Sequence, residues 1–315
     1  MNDVRTDKPS LIQKQTIMCF DSDQLSDVIK GADFELYQME KGPFRADLFQ
    51  ASVGQGILNR GEYSLSVLTK GSLSQDYMTC GFVHDIKSKG CLNGSEMQKY
   101  DILLGDEGGP LDCNFGANTL WSSFQFKRED LLKTGMSLTQ DNSKLYRFDK
   151  DAQKSFSLKL NEIFTYLEKA DNALAPSLNA DMLYNHLLSI YAQAFDTSTS
   201  TIHLKRSEAV LLAKKIYHYL NDHAEKPIQM IDLTALTGKS ERTIERIFKK
   251  YFGIAPYAYL KLHRLHLIRQ QLIKGEDSTI GDIAIKHGFM QMGYFGNEYK
   301  KLFNETPSQT LRKRV

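Results

Sequence analysis

The last third of the chain contains a near-repeat of itself. Asp232-Leu233, followed by Gly238, matches Asp282-Ile283, followed by Gly288, at an offset of 50 residues. Further along, residues 249–256 match residues 300–307 at an offset of 51, so the second copy has one more residue between its two blocks. A repeat of this length restricts the region to two similar small units in tandem.

Each copy has the parts of a helix-turn-helix. We expect a small residue, Ala235 or Ala284, where the second helix crosses the first, and a glycine at positive φ in the turn. Ser240 is predicted to be the N-cap of the second helix in the first copy. The apolar residues expected to face inwards are Ile244, Ile247 and Phe248 in the first copy and Phe295, Tyr299 and Phe303 in the second. Two ordinary helical hairpins would need the same small residues and turn glycines.

The distribution of charge distinguishes these two interpretations. Residues 203–315 hold 20 Lys and Arg against 11 Asp and Glu, a net charge of +9. The other 202 residues hold 20 basic and 27 acidic residues, a net charge of −7. A basic segment on an acidic body is typical of a chain in which one part meets a polyanion. Two helix-turn-helix copies within that segment predict DNA binding.

The patterns along the chain predict an α+β protein. Residues 1–150 alternate apolar and polar side chains between frequent turns, which indicates an antiparallel β-sandwich or barrel; as part of a regulator, this domain is expected to be the sensory or regulatory one. Residues 151–195 have helical spacing and are predicted to be helical; the family resemblance described below implies that they form a dimerisation segment. The Ser- and Thr-rich residues 196–206 are a predicted linker. Residues 207–315 are predicted to be an all-α DNA-binding domain with the two helix-turn-helix units.

The C-terminal region resembles the AraC family of transcriptional regulators over roughly residues 208–312. The residues that carry the resemblance are Gly253, Pro256, Leu260, Arg264, Ile280, Asp282-Ile283-Ala284, His287-Gly288-Phe289, Tyr294-Phe295, Tyr299, Phe303 and Pro307. Within the family, residues 288–311 are most similar to the subgroup that contains the ethanolamine-operon regulator. Residues 38–54 resemble the N-terminal domain of that subgroup. The resemblance implies a cupin-like N-terminal domain.

The resemblance also implies how DNA is read. A linking helix, about residues 256–274, would hold both units on one face, so that their recognition helices enter successive major grooves. The residues expected at the DNA are Ser240, Arg242, Thr243, Glu245, Arg246, Lys249 and Lys250 in the first unit and Gln291, Met292, Tyr294, Asn297, Lys300 and Lys301 in the second.

Their chemistry suggests different roles. Arg242 and Arg246 can bind guanine and Glu245 can accept from cytosine, whereas the lysines at the helix ends suit phosphates. The second unit would read bases through Gln291 and Asn297. The alternative is that it only anchors to the DNA backbone.

These patterns favour a ligand-responsive regulator, expected to be an activator, with a small-molecule effector in the N-terminal domain. A homodimer is expected, and an activator would also contact RNA polymerase. The alternative keeps the DNA-binding domain but makes the N-terminal domain a protein-interaction or dimerisation module that binds no small molecule.

No catalytic residue, metal or cofactor is predicted. Cys80, His84, Cys91 and Cys113 match no usual zinc spacing, and residues 1–202 hold only two histidines, His84 and His186. Trp121 is expected in the core or in a pocket wall. The sequence has no apolar run long enough for a membrane span and no apolar signal-peptide core, so we expect a bacterial cytoplasmic protein, at the nucleoid when bound.

Overall fold

The computed structural model describes residues 12–22, 25, 28–29, 32–137, 144–147, 150–169, 179–197, 200–203, 208–275 and 278–313. The strands of the N-terminal domain are β1 (Gln13–Cys19), β2 (Ala32–Gln38), β3 (Ala46–Val53), β4 (Gly56–Tyr63), β5 (Val67–Leu73), β6 (Met78–Asp85), β7 (Gly90–Leu92), β8 (Ser95–Met97), β9 (Ile102–Gly105), β10 (Pro110–Phe115), β11 (Thr119–Phe126), β12 (Lys144–Arg147) and β13 (Ser200–His203).

These strands form two sheets. One has eight strands in the order β1-β3-β4-β11-β6-β9-β12-β13, and the other has five in the order β2-β5-β10-β7-β8. All the pairings between described strands are antiparallel. The sheets face each other across a core that includes Leu73 and Leu111 from the smaller sheet and Val83 from the larger. The predicted antiparallel sandwich is therefore confirmed.

The helices are α1 (Arg128–Lys133), α2 (Lys150–Lys169), α3 (Ala180–Asp196), α4 (Glu208–Asp222), α5 (Met230–Thr237), α6 (Glu241–Phe252), α7 (Pro256–Lys274), α8 (Ile280–Lys286), α9 (Met292–Phe303) and α10 (Pro307–Arg312). Helices α2 and α3 cover the outer face of the eight-stranded sheet, where Phe124 and Phe126 pack against Phe164 and Tyr191. Alternate residues of β11 therefore face the helices and the inside of the sandwich. None of the described helices is long and apolar enough to cross a membrane.

The C-terminal helices form two helix-turn-helix units. The first joins α5 to α6 through Gly238 at φ +66°, and the second joins α8 to α9 through Gly288 at φ +81°. The turn after Gly288 is one residue longer than the turn after Gly238, as the change of offset predicted. The linking helix α7 spans Pro256–Lys274, which confirms the predicted bounds.

Three local predictions need correction. Ala284 is fully buried at the helix crossing, but Ala235 is exposed. At the offset of 50 residues, Ala235 corresponds to Ile285, and Ala284 corresponds to Thr234, which is the crossing position in the first copy. Ser240 is the N-cap residue, but its hydroxyl contacts the Thr243 hydroxyl at 3.0 Å and caps no backbone amide. The predicted linker 196–206 includes β13, which pairs with β12 and extends the larger sheet.

Candidate nucleic-acid interface

Helix α6 presents one polar face to solvent and one apolar face to the core. Ile244 and Phe248 are buried, whereas Arg242, Glu245 and Arg246 are exposed. Neither Arg242 nor Arg246 forms a salt bridge with any residue that the structure describes. Two unneutralised guanidinium groups on one exposed helix face are suited to guanine edges and phosphates.

Helix α9 has the same two-faced arrangement. Phe295, Tyr299 and Leu302 are buried, and the exposed residues on the other side are Gln291, Met292, Tyr294, Asn297, Lys300 and Lys301. Gly293 and Gly296 border open space, because a Cβ on either glycine would meet no described heavy atom within 4 Å. This face is flatter and less charged than that of α6. Sequence reasoning missed Met290, which is 76% exposed beside Gln291.

The lysines at the ends of the two recognition helices are not equivalent. Lys249, Lys250 and Lys300 are exposed and form no salt bridge within the described ranges. Lys301 instead lies 3.1 Å from the Glu298 carboxylate. That buried carboxylate also accepts from Lys261 at 2.6 Å, and these lysines lower the pKa of Glu298 to about 2. Glu298 therefore stays ionised and offsets part of the positive charge at the end of α9.

The linking helix α7 belongs to both units. Tyr259 and Leu260, near its start, pack in the core of the first unit, and Leu265, Ile268 and Leu272 pack in the core of the second. One continuous helix contributing to two cores holds the units in a fixed relation.

Polar contacts reinforce this relation between the units. The Arg264 guanidinium donates to the backbone carbonyls of Ala224 and Lys226, both at 2.7 Å, and Lys286 lies 3.2 Å from Glu225.

The outer face of the five-stranded sheet holds the end of the first recognition helix. Asn114 Nδ2 donates to the Phe252 carbonyl at 3.1 Å, and the Tyr251 hydroxyl donates to Asp112 at 3.1 Å. Asp112 also pairs with Lys214 of α4 at 2.7 Å. The carbonyls at a helix C-terminus have no partner within the helix, so a side-chain donor there satisfies them.

The same domain holds the end of the second recognition helix. Gln38 Nε2 donates to the Leu302 carbonyl at 2.7 Å, and the Gly42 amide donates to the Lys301 carbonyl at 3.1 Å. His266 of α7 donates from Nε2 to the Gln38 carbonyl at 3.2 Å and is buried, as is His263. The polar faces of α6 and α9 stay exposed in this docked arrangement. No sequence signal marked Gln38, Asp112 or Asn114 for this role.

A second feature of the N-terminal domain is a cavity between its two sheets. Trp121 forms part of the wall, which agrees with its expected place in the core or a pocket wall. The cysteines and His84 do not gather: among the described residues no group of three or more His, Cys, Asp or Glu is placed to hold a metal ion. His84 instead contacts Ser122 Oγ at 2.9 Å, and its burial lowers its pKa to about 3.

Comparison with known proteins identifies the C-terminal region. Residues 233–313 match the family model described as "Helix-turn-helix domain". The probable thc operon regulatory protein of Rhodococcus erythropolis is 32% identical over 96 residues, which cover 30% of this chain and 29% of that protein. The transcriptional activator RhaS of Salmonella paratyphi B is 25% identical over 196 residues, covering 60% of this chain and 66% of that protein.

A solved structure is also similar to part of this chain. The crystal structure of a probable AraC family transcriptional regulator from Rhodopseudomonas palustris is 34% identical, and the match covers 33% of this chain and 99% of that chain, with a TM-score of 0.32. The match spans less than a third of the length of the Rhodococcus protein.

Proposed function

We propose that the chain is a sequence-specific, DNA-binding transcriptional regulator of the AraC type, a proposal supported by the match of residues 233–313 to the helix-turn-helix family model. The observation that carries the proposal is the pair of exposed recognition faces, on α6 and α9, joined by one linking helix that belongs to both cores. We also propose that residues 288–311 place the chain near the subgroup that contains the ethanolamine-operon regulator.

The two units take different parts in recognition. In the first unit, Arg242, Glu245 and Arg246 read base edges. Ser240 and Thr243 lie close to the DNA backbone, and Lys249 and Lys250 contact phosphates. In the second, Gln291 and Asn297 read bases, and Met292 and Tyr294 make apolar contacts such as those to thymine methyl groups. Lys300 contacts phosphate more strongly than Lys301, because Glu298 neutralises part of the charge on Lys301.

The other parts of the chain complete a bacterial cytoplasmic regulator. Residues 1–150 form the sensory domain, with a small-molecule effector in the cavity between the sheets. Residues 196–206 connect it to the DNA-binding domain, residues 207–315. We propose an activator that contacts RNA polymerase, and the name of the matched relative RhaS, a transcriptional activator, supports this role. No enzymatic activity and no cofactor form part of the proposal.

The salt dependence of DNA binding tests the proposal. If about six phosphates are neutralised by the full chain, log K should fall with log[salt] with a slope of about −5. The measurement is a fluorescence-anisotropy titration of a specific operator, selected from random DNA, at several salt concentrations. A slope near zero, or no selected sequence, contradicts a DNA-binding regulator.

A pair of variants separates base contacts from phosphate contacts. Arg246→Ala should weaken binding to the selected operator by about 1–3 kcal/mol and relax the preference at one base pair. Lys249→Ala, one helical turn further on, should weaken binding to every sequence alike. The two variants are compared on the operator, on its single-base variants and on unrelated DNA. A uniform loss for both would show that Arg246 does not read a base.

A homodimer through residues 151–195 is part of the proposal. Leu158 and Tyr166 of α2 and Met182 of α3 are 53%, 50% and 70% exposed, and Tyr166 and Met182 line a groove between the two helices. Exposed apolar residues gathered on one surface are typical of an association site. The Met182→Asp change should raise the dimer dissociation constant by about ten-fold or more.

Sedimentation equilibrium measures this constant. Leu211→Asp is the matched control, because Leu211 is also exposed but lies on α4 of the DNA-binding domain. An entirely monomeric parent protein, or equal effects of the two changes, would exclude this dimer surface.

A further inference from the structure

The cavity in the N-terminal domain has a volume of about 90 Å³ and lies between the two sheets. Leu73 and Leu111 of the five-stranded sheet and Val83 and Trp121 of the eight-stranded sheet form parts of its apolar wall. Binding sites for small molecules are concave, mostly apolar spaces with a few placed polar groups. The chemistry of the wall therefore indicates which occupant fits.

Apart from Trp121, whose indole N–H interacts with the Tyr63 phenol, three polar side chains of the wall hold an atom without a hydrogen-bond partner among the described residues. They are Asn59, Thr69 and Thr79, each at most 4% exposed. Asn59 Oδ1 and the two threonine hydroxyls have no partner among the described residues. Asn59 Nδ2 donates to Ser123 Oγ at 3.2 Å, which leaves its carbonyl oxygen as an acceptor for another group. Buried polar atoms are costly to leave unpaired, so they point to an occupant that pairs with them.

Water alone does not suit this cavity. A buried water molecule needs two to four polar partners. The three unpaired atoms could hold about one water molecule, whereas the volume of the cavity exceeds the roughly 10–15 Å³ that one water requires several-fold. The rest of the space borders apolar side chains. An occupant with an apolar body and a small polar group matches both parts of the wall.

The wall offers nothing to balance a charge on the occupant. No lysine, arginine or histidine is among the described residues that line the cavity. Both carboxylate oxygens of Asp101 are already engaged, one by Arg147 Nε and the other by the Gln98 amide, each at 2.8 Å. Burial raises the pKa of the Tyr63 phenol and of the Cys113 thiol, so both stay uncharged. A charged ligand would lose its hydration without gaining a counter-charge.

We propose that this cavity binds a compact, uncharged molecule with an apolar body and a hydrogen-bond donor that pairs with Asn59 Oδ1 or the hydroxyls of Thr69 and Thr79. The inference rests on the proposed function in taking the N-terminal domain as the effector domain. It excludes carboxylates and phosphates as effectors at this site.

Two pairs of small probes test the class of ligand on the full chain. Pyrrole and furan have nearly the same shape, but only pyrrole has an N–H donor. Butyramide and butyrate also have nearly the same shape, but only butyrate is charged. The methyl resonance of Met97, which lies in the wall, reports binding in NMR titrations. Pyrrole should bind about ten-fold more tightly than furan, and butyramide should bind where butyrate does not.

Variants locate the donor contact. Asn59→Leu and the double change Thr69→Val with Thr79→Val remove the unpaired atoms and keep most of the side-chain volume. At least one of them should bring the ratio of pyrrole to furan affinity to about one. Unchanged furan affinity in the same variant shows that the cavity is still formed.

Several results would overturn the inference. They are equal affinities for pyrrole and furan in the parent protein, a butyrate affinity equal to that of butyramide, and the same pyrrole preference in both variants. The absence of binding by pyrrole and butyramide alike would leave water as the only occupant and also overturn it. Operator binding is measured on the same samples. A chain that binds the operator but no neutral probe fails only this inference, and a chain that binds pyrrole but no DNA fails the proposed function.

Discussion

The two turn glycines of the repeat have similar backbone conformations but different surroundings. Gly238 has φ +66° and Gly288 has φ +81°, both in the left-handed region that a side chain rarely adopts. A Cβ on Gly238 would meet no atom within 4 Å, whereas a Cβ on Gly288 would lie 2.9 Å from Arg264 Nη1. The second glycine therefore also leaves room for the guanidinium that joins the two units.

A matched pair of alanine variants tests this difference. Gly238→Ala should lower the free energy of unfolding by about 1 kcal/mol, the cost of the left-handed conformation alone. Gly288→Ala should cost about 2–4 kcal/mol, because it also displaces Arg264 from two carbonyl acceptors. Urea denaturation of the full chain gives both values. Equal losses would mean that Arg264 moves aside without cost.

At the residue scale, the sequence predicted which side chains are exposed better than it predicted their salt-bridge and hydrogen-bond partners. The outward residues of α6 and α9 follow from helical periodicity and are exposed as expected. The partners of Glu298 do not all follow from periodicity, because Lys301 lies three residues further on the same helix but Lys261 is on α7. The small size of alanine favours Ala235 at the crossing, but a shift of one residue turns a side chain by about 100° around a helix.

At the scale of elements, the linking helix is the part that the sequence defined most closely. Pro256 at its first turn and Gly275 at its left-handed C-cap, φ +82°, mark its two ends. Strand β13 was not predicted, because its polar Ser- and Thr-rich segment resembles a loop and its pairing partner β12 lies 53 to 59 positions away. Local composition carries little information about such distant pairing.

The rigidity of α7 has a consequence for operator spacing. Because one helix packs in both cores, the two recognition helices cannot rotate independently around DNA. Inserting five base pairs between the two half-sites turns the second one to the opposite face of the duplex, since a turn of B-DNA takes about 10 base pairs. Binding should then fall to the affinity of a single unit.

A ten-base-pair insertion extends this test. It restores the face but places the second half-site beyond the reach of α9, so it should not restore full affinity. Competition titrations of the three operators supply the comparison. Full affinity with five added base pairs would mean that the units are flexibly joined or that only α6 binds DNA.

At the scale of the whole molecule, the chain is built in four layers. Helices α2 and α3 lie on the eight-stranded sheet, the five-stranded sheet follows, and the DNA-binding domain covers the outer face of that second sheet. Because alternate residues of a strand face opposite sides of a sheet, strands of the five-stranded sheet line the cavity on one side and contact the DNA-binding domain on the other. Thr69 and Cys113 line the cavity, and their neighbours Lys70 and Asp112 contact the DNA-binding domain through Tyr217 and Tyr251.

These contacts between domains could not be predicted from the sequence. Gln38 and Leu302 are 264 residues apart, and neither belongs to a sequence pattern from which the other could be predicted as its partner. The sandwich and the tandem helices each followed from their own periodicity. Their docking depends on shape and on single polar groups, such as the Asn114 amide that lies against the turn at Gly253.

The docked arrangement leads to a last prediction. The double change Gln38→Leu with Asn114→Leu removes the donors to the Leu302 and Phe252 carbonyls and leaves those helix ends facing apolar side chains. Buried carbonyls without donors cost about 1–3 kcal/mol each, so the domains should separate while each stays folded. Small-angle X-ray scattering should show a larger radius of gyration, and calorimetry should resolve two unfolding transitions.

Asn161→Leu on α2 is the control and should change neither the radius of gyration nor the number of unfolding transitions. Because Arg242 and Arg246 are exposed while the domains are docked, affinity for a single half-site should stay the same. An unchanged radius with one transition would show that the apolar contacts alone hold the domains together.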